Sequence, residues 1–118
     1  MITIIDYGSG NLRSAAKAFE RCVQETGLDQ EVVVTSDPDL AARADRIVLP
    51  GVGAFRDCRD GLNAVPGMRG ALEEAVLKRA VPFFGIWVGM QLMASRSLEY
   101  CATDWMVWLD GALSPLAP

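Results

Sequence analysis

The chain opens MITIIDYGSGNLRS (residues 1–14), and this stretch decides the fold. Ile2 to Ile5 is a short β-branched run that predicts a strand, and the turn residues Gly8-Ser9-Gly10-Asn11 follow it. After the turn the apolar residues take a helical spacing: Leu12, Ala15, Ala16, Phe19, Cys22 and Val23. We expect Asn11 to cap this helix and Gly27 to end it. A strand, a glycine turn and an amphipathic helix therefore follow one another directly.

The same alternation continues along the chain. Further strands are predicted at Glu31 to Thr35 (EVVVT), Asp45 to Leu49 (DRIVL) and Pro82 to Ile86 (PFFGI), with a last one around Met106 to Leu109. Helices are predicted from Pro38 to about Ala44, over Met68 to Val76, and from Gly89 to Leu98. The residues between Phe55 and Gly67 are expected to be irregular.

Strands that alternate with helices predict parallel pairing through crossover helices. The apolar strands agree with this, because a strand of a parallel sheet is buried on both faces. The predicted fold class is α/β, a doubly wound and mostly parallel sheet with helices on both faces, incomplete at its carboxyl end. At 118 residues the chain is long enough for one domain and too short for two.

Composition excludes several functions. The net charge of −4, without a basic face, argues against nucleic-acid binding, and no apolar run is long enough to span a bilayer. Cys22, Cys58 and Cys101 form no CxxC pair, which favours a reduced, cytoplasmic setting without disulfides. The sequence contains no histidine, so no Ser-His or Cys-His dyad and no histidine metal site can form within it. No cofactor is indicated.

Gly85-Ile86-Trp87-Val88-Gly89 has the G-x-x-x-G frame of a nucleophile elbow between a strand and a helix. An active enzyme would place Ser or Cys at its centre, whereas Trp87 cannot act as a nucleophile. From the frame alone, an ordinary strand-glycine-helix junction is an equally good interpretation.

Two other glycine segments end predicted strands at the same sheet edge. Pro50-Gly51-Val52-Gly53 leaves backbone N–H groups open, as an oxyanion hole requires, although a tight turn is the better interpretation of this segment alone. Asp6 to Asn11 is a weak candidate for a phosphate loop, since it lacks the third glycine of a dinucleotide fingerprint and the lysine of a P-loop.

Taken together, IDYGSGNLRS, LPGVGAF and GI-W-VGMQL resemble the glutaminase subunits of imidazole glycerol phosphate synthases, which are class I glutamine amidotransferases. The resemblance runs from Met1 to about Tyr100 and leaves 101–118 as a divergent tail. It implies a three-layer α/β domain that releases ammonia from glutamine through a Cys-His-Glu triad. The ammonia would pass to a cyclase subunit, the partner in a cytoplasmic heterodimer of histidine biosynthesis.

The resemblance also assigns roles to residues of this chain. Trp87 occupies the place of the nucleophilic cysteine. Gly51, Val52 and Gly53 match the oxyanion loop, with the amide of Val88 as the other donor, and Gln91 and Glu99 match positions that hold the substrate glutamine. Asn11 lies on the edge that resembles the surface facing the partner.

Three departures from the family pattern bear on activity. Trp87 removes the thiol, and the sequence ends at Pro118, before the strands that would carry the catalytic His and Glu. Glycines usual in the family are replaced at Ser97, Cys101, Trp105 and Val107. We therefore expect residues 1–118 to be a single partial domain without glutaminase activity, interpreted as a truncated or misread copy. The alternatives are a pseudoenzyme that still binds the cyclase subunit and a fragment that does not fold alone.

Overall fold

The computed structural model describes residues 1–86 in full and, after them, the backbone of residues 94–97, 103–104 and 109–113. The strands are β1 (Ile2–Ile5), β2 (Val32–Thr35), β3 (Arg46–Leu49), β4 (Phe83–Gly85), β5 (Ala94–Ser97), β6 (Thr103–Asp104) and β7 (Leu109–Leu113). The helices are α1 (Leu12–Thr26), α2 (Pro38–Arg43), α3 (Phe55–Asn63) and α4 (Met68–Glu73), and α4 continues as the π-helical segment Glu74–Lys78.

The first four strands form one parallel sheet in the order β2-β1-β3-β4. Ile4 of β1 stands opposite Val34 on one side and Val48 on the other, and Val48 in turn pairs with Phe84. Each neighbouring pair is parallel, and helices connect the strands. The predicted α/β class with a parallel sheet is confirmed.

The sheet has apolar layers on both faces because side chains alternate along each strand. One face carries Ile5, Ile47 and Leu49, which pack with the buried residues of α2, α3 and α4. The other face carries Ile2, Ile4 and Val48 and is covered by α1 through Leu12, Ala15, Ala16, Phe19 and Val23. No side chain of α1 is fully buried, so the α1 face is the more open of the two.

The helix ends follow the predicted capping residues. The Asn11 side chain accepts a hydrogen bond from the Ser14 amide at 3.2 Å, and Gly27 ends α1 in the left-handed conformation with φ +70°. Asp37 caps α2, with Pro38 in its first turn. The first helix and its limits are thus as the sequence predicts.

The irregular stretch predicted after Phe55 is wrong, because Phe55–Asn63 forms α3. This helix buries Phe55, Cys58 and Leu62, which share one helical face. Gly61, a poor helix former, obscures that pattern in the sequence. A Cβ at position 61 would lie 3.0 Å from the carbonyl oxygen of Tyr7, so a larger residue would require Tyr7 to shift by a few tenths of an ångström.

The helix predicted from Gly89 to Leu98 is wrong over Ala94–Ser97, which forms β5. This strand pairs parallel with β7 and antiparallel with β6 in a second, three-stranded sheet. Backbone pairing between distant segments overrides local helical propensity here. The last strand was predicted around Met106 to Leu109; β7 begins at Leu109, and residues 106–108 lie outside the described part of the chain.

Candidate functional site

Two loops and the end of β4 meet at the carboxyl edge of the parallel sheet. We call Asp6–Asn11, after β1, the first loop, and Pro50–Gly53, after β3, the glycine loop. Past β4, the Ile86 amide donates to the carbonyl of Leu49 at 3.0 Å. These three segments and the first turn of α1 line an open cleft of about 260 Å³, formed by Gly10, Asn11, Ser14, Ala15, Pro50, Gly51, Val52 and Ile86. Ligands of open α/β sheets bind at this edge.

The first loop and the glycine loop lie in direct contact. Gly10 has φ +95°, and a Cβ on it would stand 2.8 Å from the Cβ of Pro50. Any other residue at position 10 would force the loops apart and adopt an unfavourable backbone conformation. The glycine that the sequence places before Asn11 therefore has a packing function as well as a turn function.

Ser9 holds the middle of the glycine loop. The Val52 amide donates to Ser9 Oγ at 3.1 Å, and Ser9 Oγ lies 3.1 Å from the carbonyl oxygen of Val52, to which it can donate its proton. The Val52 amide is therefore already engaged in this structure. It could serve an oxyanion only after leaving Ser9.

Cys58 of α3 also contacts Val52. Its Sγ donates to the Val52 carbonyl at 3.3 Å and lies 3.1 Å from Ser9 Oγ. Because the Val52 carbonyl has two lone pairs, it can accept from both the hydroxyl and the thiol. Both backbone polar groups of Val52 are thus satisfied by side chains outside the loop.

Tyr7 holds the start of the glycine loop. Its ring is buried, and its hydroxyl donates to the carbonyl of Pro50. Burial raises the pKa of the Tyr7 hydroxyl well above its usual range, and the adjacent Cys58 raises it further. The phenol is therefore neutral at physiological pH and remains a hydrogen-bond donor.

The predicted site residues divide into two groups. Gly51, which is buried, and Val52, which is exposed, line the cleft together with Asn11, and the exposed Gly53 follows them in the glycine loop. Trp87, Val88, Gln91 and Glu99 lie outside the described residues. Among the residues that the structure describes, no group of three or more potential ligands could hold a metal ion.

Sequence reasoning missed the supporting residues Tyr7, Ser9 and Cys58. Tyr7 and Ser9 stand within the quoted IDYGSGN motif, so their position after β1 was a usable signal. Cys58 carried no such signal, because its helix was not recognised. The sequence made the first loop a weak candidate for a phosphate loop. In the structure its Tyr7 and Ser9 hydroxyls instead hydrogen-bond to carbonyl groups of the glycine loop.

Comparison with known proteins gives one consistent result. Residues 3–101 match the family model described as glutamine amidotransferase class-I. The chain is 58% identical to the imidazole glycerol phosphate synthase subunit HisH of Agrobacterium fabrum, 57% to that of Brucella suis and 56% to that of Rhodopseudomonas palustris. Each match covers 99% of this chain and 54% of the relative. The chain thus spans about half the length of the curated relatives it matches.

Proposed function

This chain belongs to the class I glutamine amidotransferase family, and we propose that it represents the amino-terminal part of a glutaminase subunit of imidazole glycerol phosphate synthase. In this role it supplies the oxyanion loop and part of the partner-facing edge. The identity over almost the whole chain carries the proposal. The packing of the glycine loop against the first loop supports it, since both matching motifs lie at one cleft.

We place the reacting centre of the family at Trp87, directly after Ile86 in sequence. Ile86 lines the cleft together with Gly51 and Val52, which supports this proposal. Gly51, Val52, Gly53 and Val88 are the proposed oxyanion donors, and Gln91 and Glu99 the proposed glutamine contacts. An indole has no nucleophilic atom suited to forming a thioester. The 118 residues also contain no histidine to act as base.

We therefore expect residues 1–118 to hydrolyse no glutamine. The test is glutaminase turnover by the purified 118-residue chain and by Trp87→Cys, with a full-length relative as positive control. Both are expected to stay at background, because restoring the thiol does not restore the base. Thiol-dependent turnover by the variant would refute this assignment of the triad.

A second candidate function is binding without catalysis. Asn11 and Val52 are exposed at the rim of the cleft, Val52 with 55% of its surface accessible, so this edge is open to a partner. The proposed partner is the cyclase subunit, in a heterodimer. Calorimetric titration of the chain into purified cyclase subunit tests whether the two proteins bind.

A thermal melt monitored by circular dichroism distinguishes a folded chain that can bind from a chain that does not fold. A cooperative transition together with saturable heat supports the binding function, and Val52→Asp should then weaken the complex by introducing a charge at the rim. A cooperative transition without heat refutes the binding function. The absence of a transition identifies a fragment that does not fold alone.

A further inference from the structure

The geometry points to Tyr7 as a positioning residue for the glycine loop, one that fixes the direction of the Gly51 N–H group. The inference rests on the proposed function, because it concerns an amide assigned there to the oxyanion hole. Tyr7 acts on Gly51 through the hydrogen bond that its hydroxyl donates to the carbonyl of Pro50.

The link from Pro50 to Gly51 is the planar peptide bond. In a trans peptide the carbonyl of one residue and the N–H of the next belong to one rigid plane and point in opposite directions. The described backbone contains no cis peptide. A hydroxyl that holds the Pro50 carbonyl therefore also sets where the Gly51 N–H points.

Tyr7 is itself held in a fixed place, as a positioning residue must be. Its side chain is buried, and it lies against Gly61 of α3, where a Cβ would stand 3.0 Å from the Tyr7 carbonyl and 3.6 Å from the ring. The Pro50 side is equally constrained, because the proline ring fixes φ and packs on Gly10. The hydrogen bond thus joins two rigid parts.

The following peptide planes are held by other side chains. Ser9 Oγ accepts from the Val52 amide and so holds the plane between Gly51 and Val52. Ser9 and Cys58 both reach the Val52 carbonyl and so hold the plane between Val52 and Gly53. The loop is fixed one peptide at a time. Tyr7 and Ser9 therefore act on different peptide planes of the loop, although their side chains also interact with each other.

The experiment is backbone NMR on the 118-residue chain and on Tyr7→Phe, which removes only the hydroxyl. In the native chain the Gly51 N–H is expected to be rigid, with an order parameter of about 0.85. In Tyr7→Phe it should fall below about 0.6, the range of flexible backbone, with a changed amide shift. The Val52 amide should keep its protection from exchange, because Ser9 is intact.

Ser9→Ala is the complementary variant. It should speed exchange of the Val52 amide by about tenfold, the order expected for loss of one hydrogen bond, and leave the Gly51 amide rigid. The amides of Ile4 and Val48, in the centre of the sheet, are internal controls and should not change in either variant.

Four results would overturn the inference: an unchanged Gly51 in Tyr7→Phe, equal loosening of Ile4 and Val48, a Gly51 amide already mobile in the native chain, or a native spectrum without dispersed amides. None of the measurements contains glutamine or cyclase subunit. A negative result in the glutaminase or cyclase-binding assays would therefore not affect the NMR test of Tyr7.

Discussion

Thr3 is a buried residue whose side-chain hydroxyl lowers the stability of the fold. It lies in the middle of β1, fully buried, and its Oγ1 has no hydrogen-bond partner among the described residues. A buried hydroxyl without a partner loses its bonds to water and gains nothing in exchange. Its β-branched shape suits the strand, so the cost comes from one oxygen atom.

Thr3→Val keeps the shape and removes that oxygen. We expect the free energy of unfolding to rise by about 1 kcal/mol, as measured by chemical denaturation. Thr35→Val is the matched control, because the Thr35 hydroxyl accepts from the Asp37 amide at 2.9 Å and its loss should destabilise the chain. A lower stability for Thr3→Val would mean that the hydroxyl is satisfied after all.

Tyr7 predicts a particular response to alkaline pH. Its pKa is raised in the folded chain, mainly by burial, from an unfolded value near 10. The unfolded state therefore releases the phenol proton first as pH rises. The stabilising contribution of neutral Tyr7 is complete below about pH 10 and is lost progressively above it.

The measurement is phenolate absorbance during a pH titration of the variant Tyr100→Phe, in which Tyr7 is the remaining tyrosine. Tyr7 should ionise above the normal range, together with the loss of secondary structure. Ionisation near pH 10 by a chain that remains folded would show that the phenol is accessible to water.

At the scale of elements, the end of α4 stores backbone strain. The helix widens into the π-helical segment Glu74–Lys78, and Arg79 donates its amide to the Glu74 carbonyl at 3.0 Å. Ala80 then takes φ +56°, and the Val81 amide returns to the Ala75 carbonyl at 3.1 Å. This is the arrangement in which helices usually place glycine.

Ala80→Gly should therefore stabilise the chain by about 1 kcal/mol, because glycine adopts a positive φ without the Cβ clash. Ala64→Gly is the matched control: Ala64 ends α3 with φ −73°, where glycine brings only its entropic cost, and stability should fall. Thermal melts of the two variants should move in opposite directions. A shift in the same direction would show that Ala80 is not strained.

At the scale of the whole molecule, the sheet is covered unequally. Within the described part of the chain, the α2, α3 and α4 side buries a continuous core, whereas α1 is the helix that covers the other side. On that open side Phe84 has 57% of its surface accessible and packs edge to face on Phe19, with ring centroids 6.1 Å apart. The two rings line a shallow, mostly apolar groove together with Ile2 and Pro82, and exposed apolar surface of this kind favours association.

Phe84→Ser should accordingly reduce self-association of the chain, measured by sedimentation velocity at increasing concentration. The apparent dissociation constant should rise about tenfold or more, given about 1.5–3 kcal/mol for burying such a side chain. Leu77→Ser, equally exposed at 57% but outside the sheet, should have little effect. Equal effects of both substitutions would show that self-association depends on general surface hydrophobicity and not on this face of the sheet.

No helix within the described residues is long and apolar enough to cross a membrane. The proposed heterodimer would have its cyclase contact at the carboxyl edge, with Asn11.

The sequence by itself determined the parallel sheet, because apolar strands alternate with amphipathic helices, and the limits of α1, because Asn11 and Gly27 are strong end signals. It also placed the glycine loop at the ligand-binding edge, since that follows from strand direction alone. Each of these features depends on short-range patterns that the chain carries in order.

Only the tertiary structure decided α3, β5 and the partners of Val52. Gly61 weakens the helical pattern of α3 and is explained only by the nearness of Tyr7. The pairing of Ala94–Ser97 depends on a distant strand. Ser9 and Val52 stand 43 positions apart, as do Tyr7 and Pro50, and no local pattern records such contacts. Backbone periodicity is a property of neighbours in sequence, whereas the hydrogen bonds that fix this loop join residues that only folding brings together.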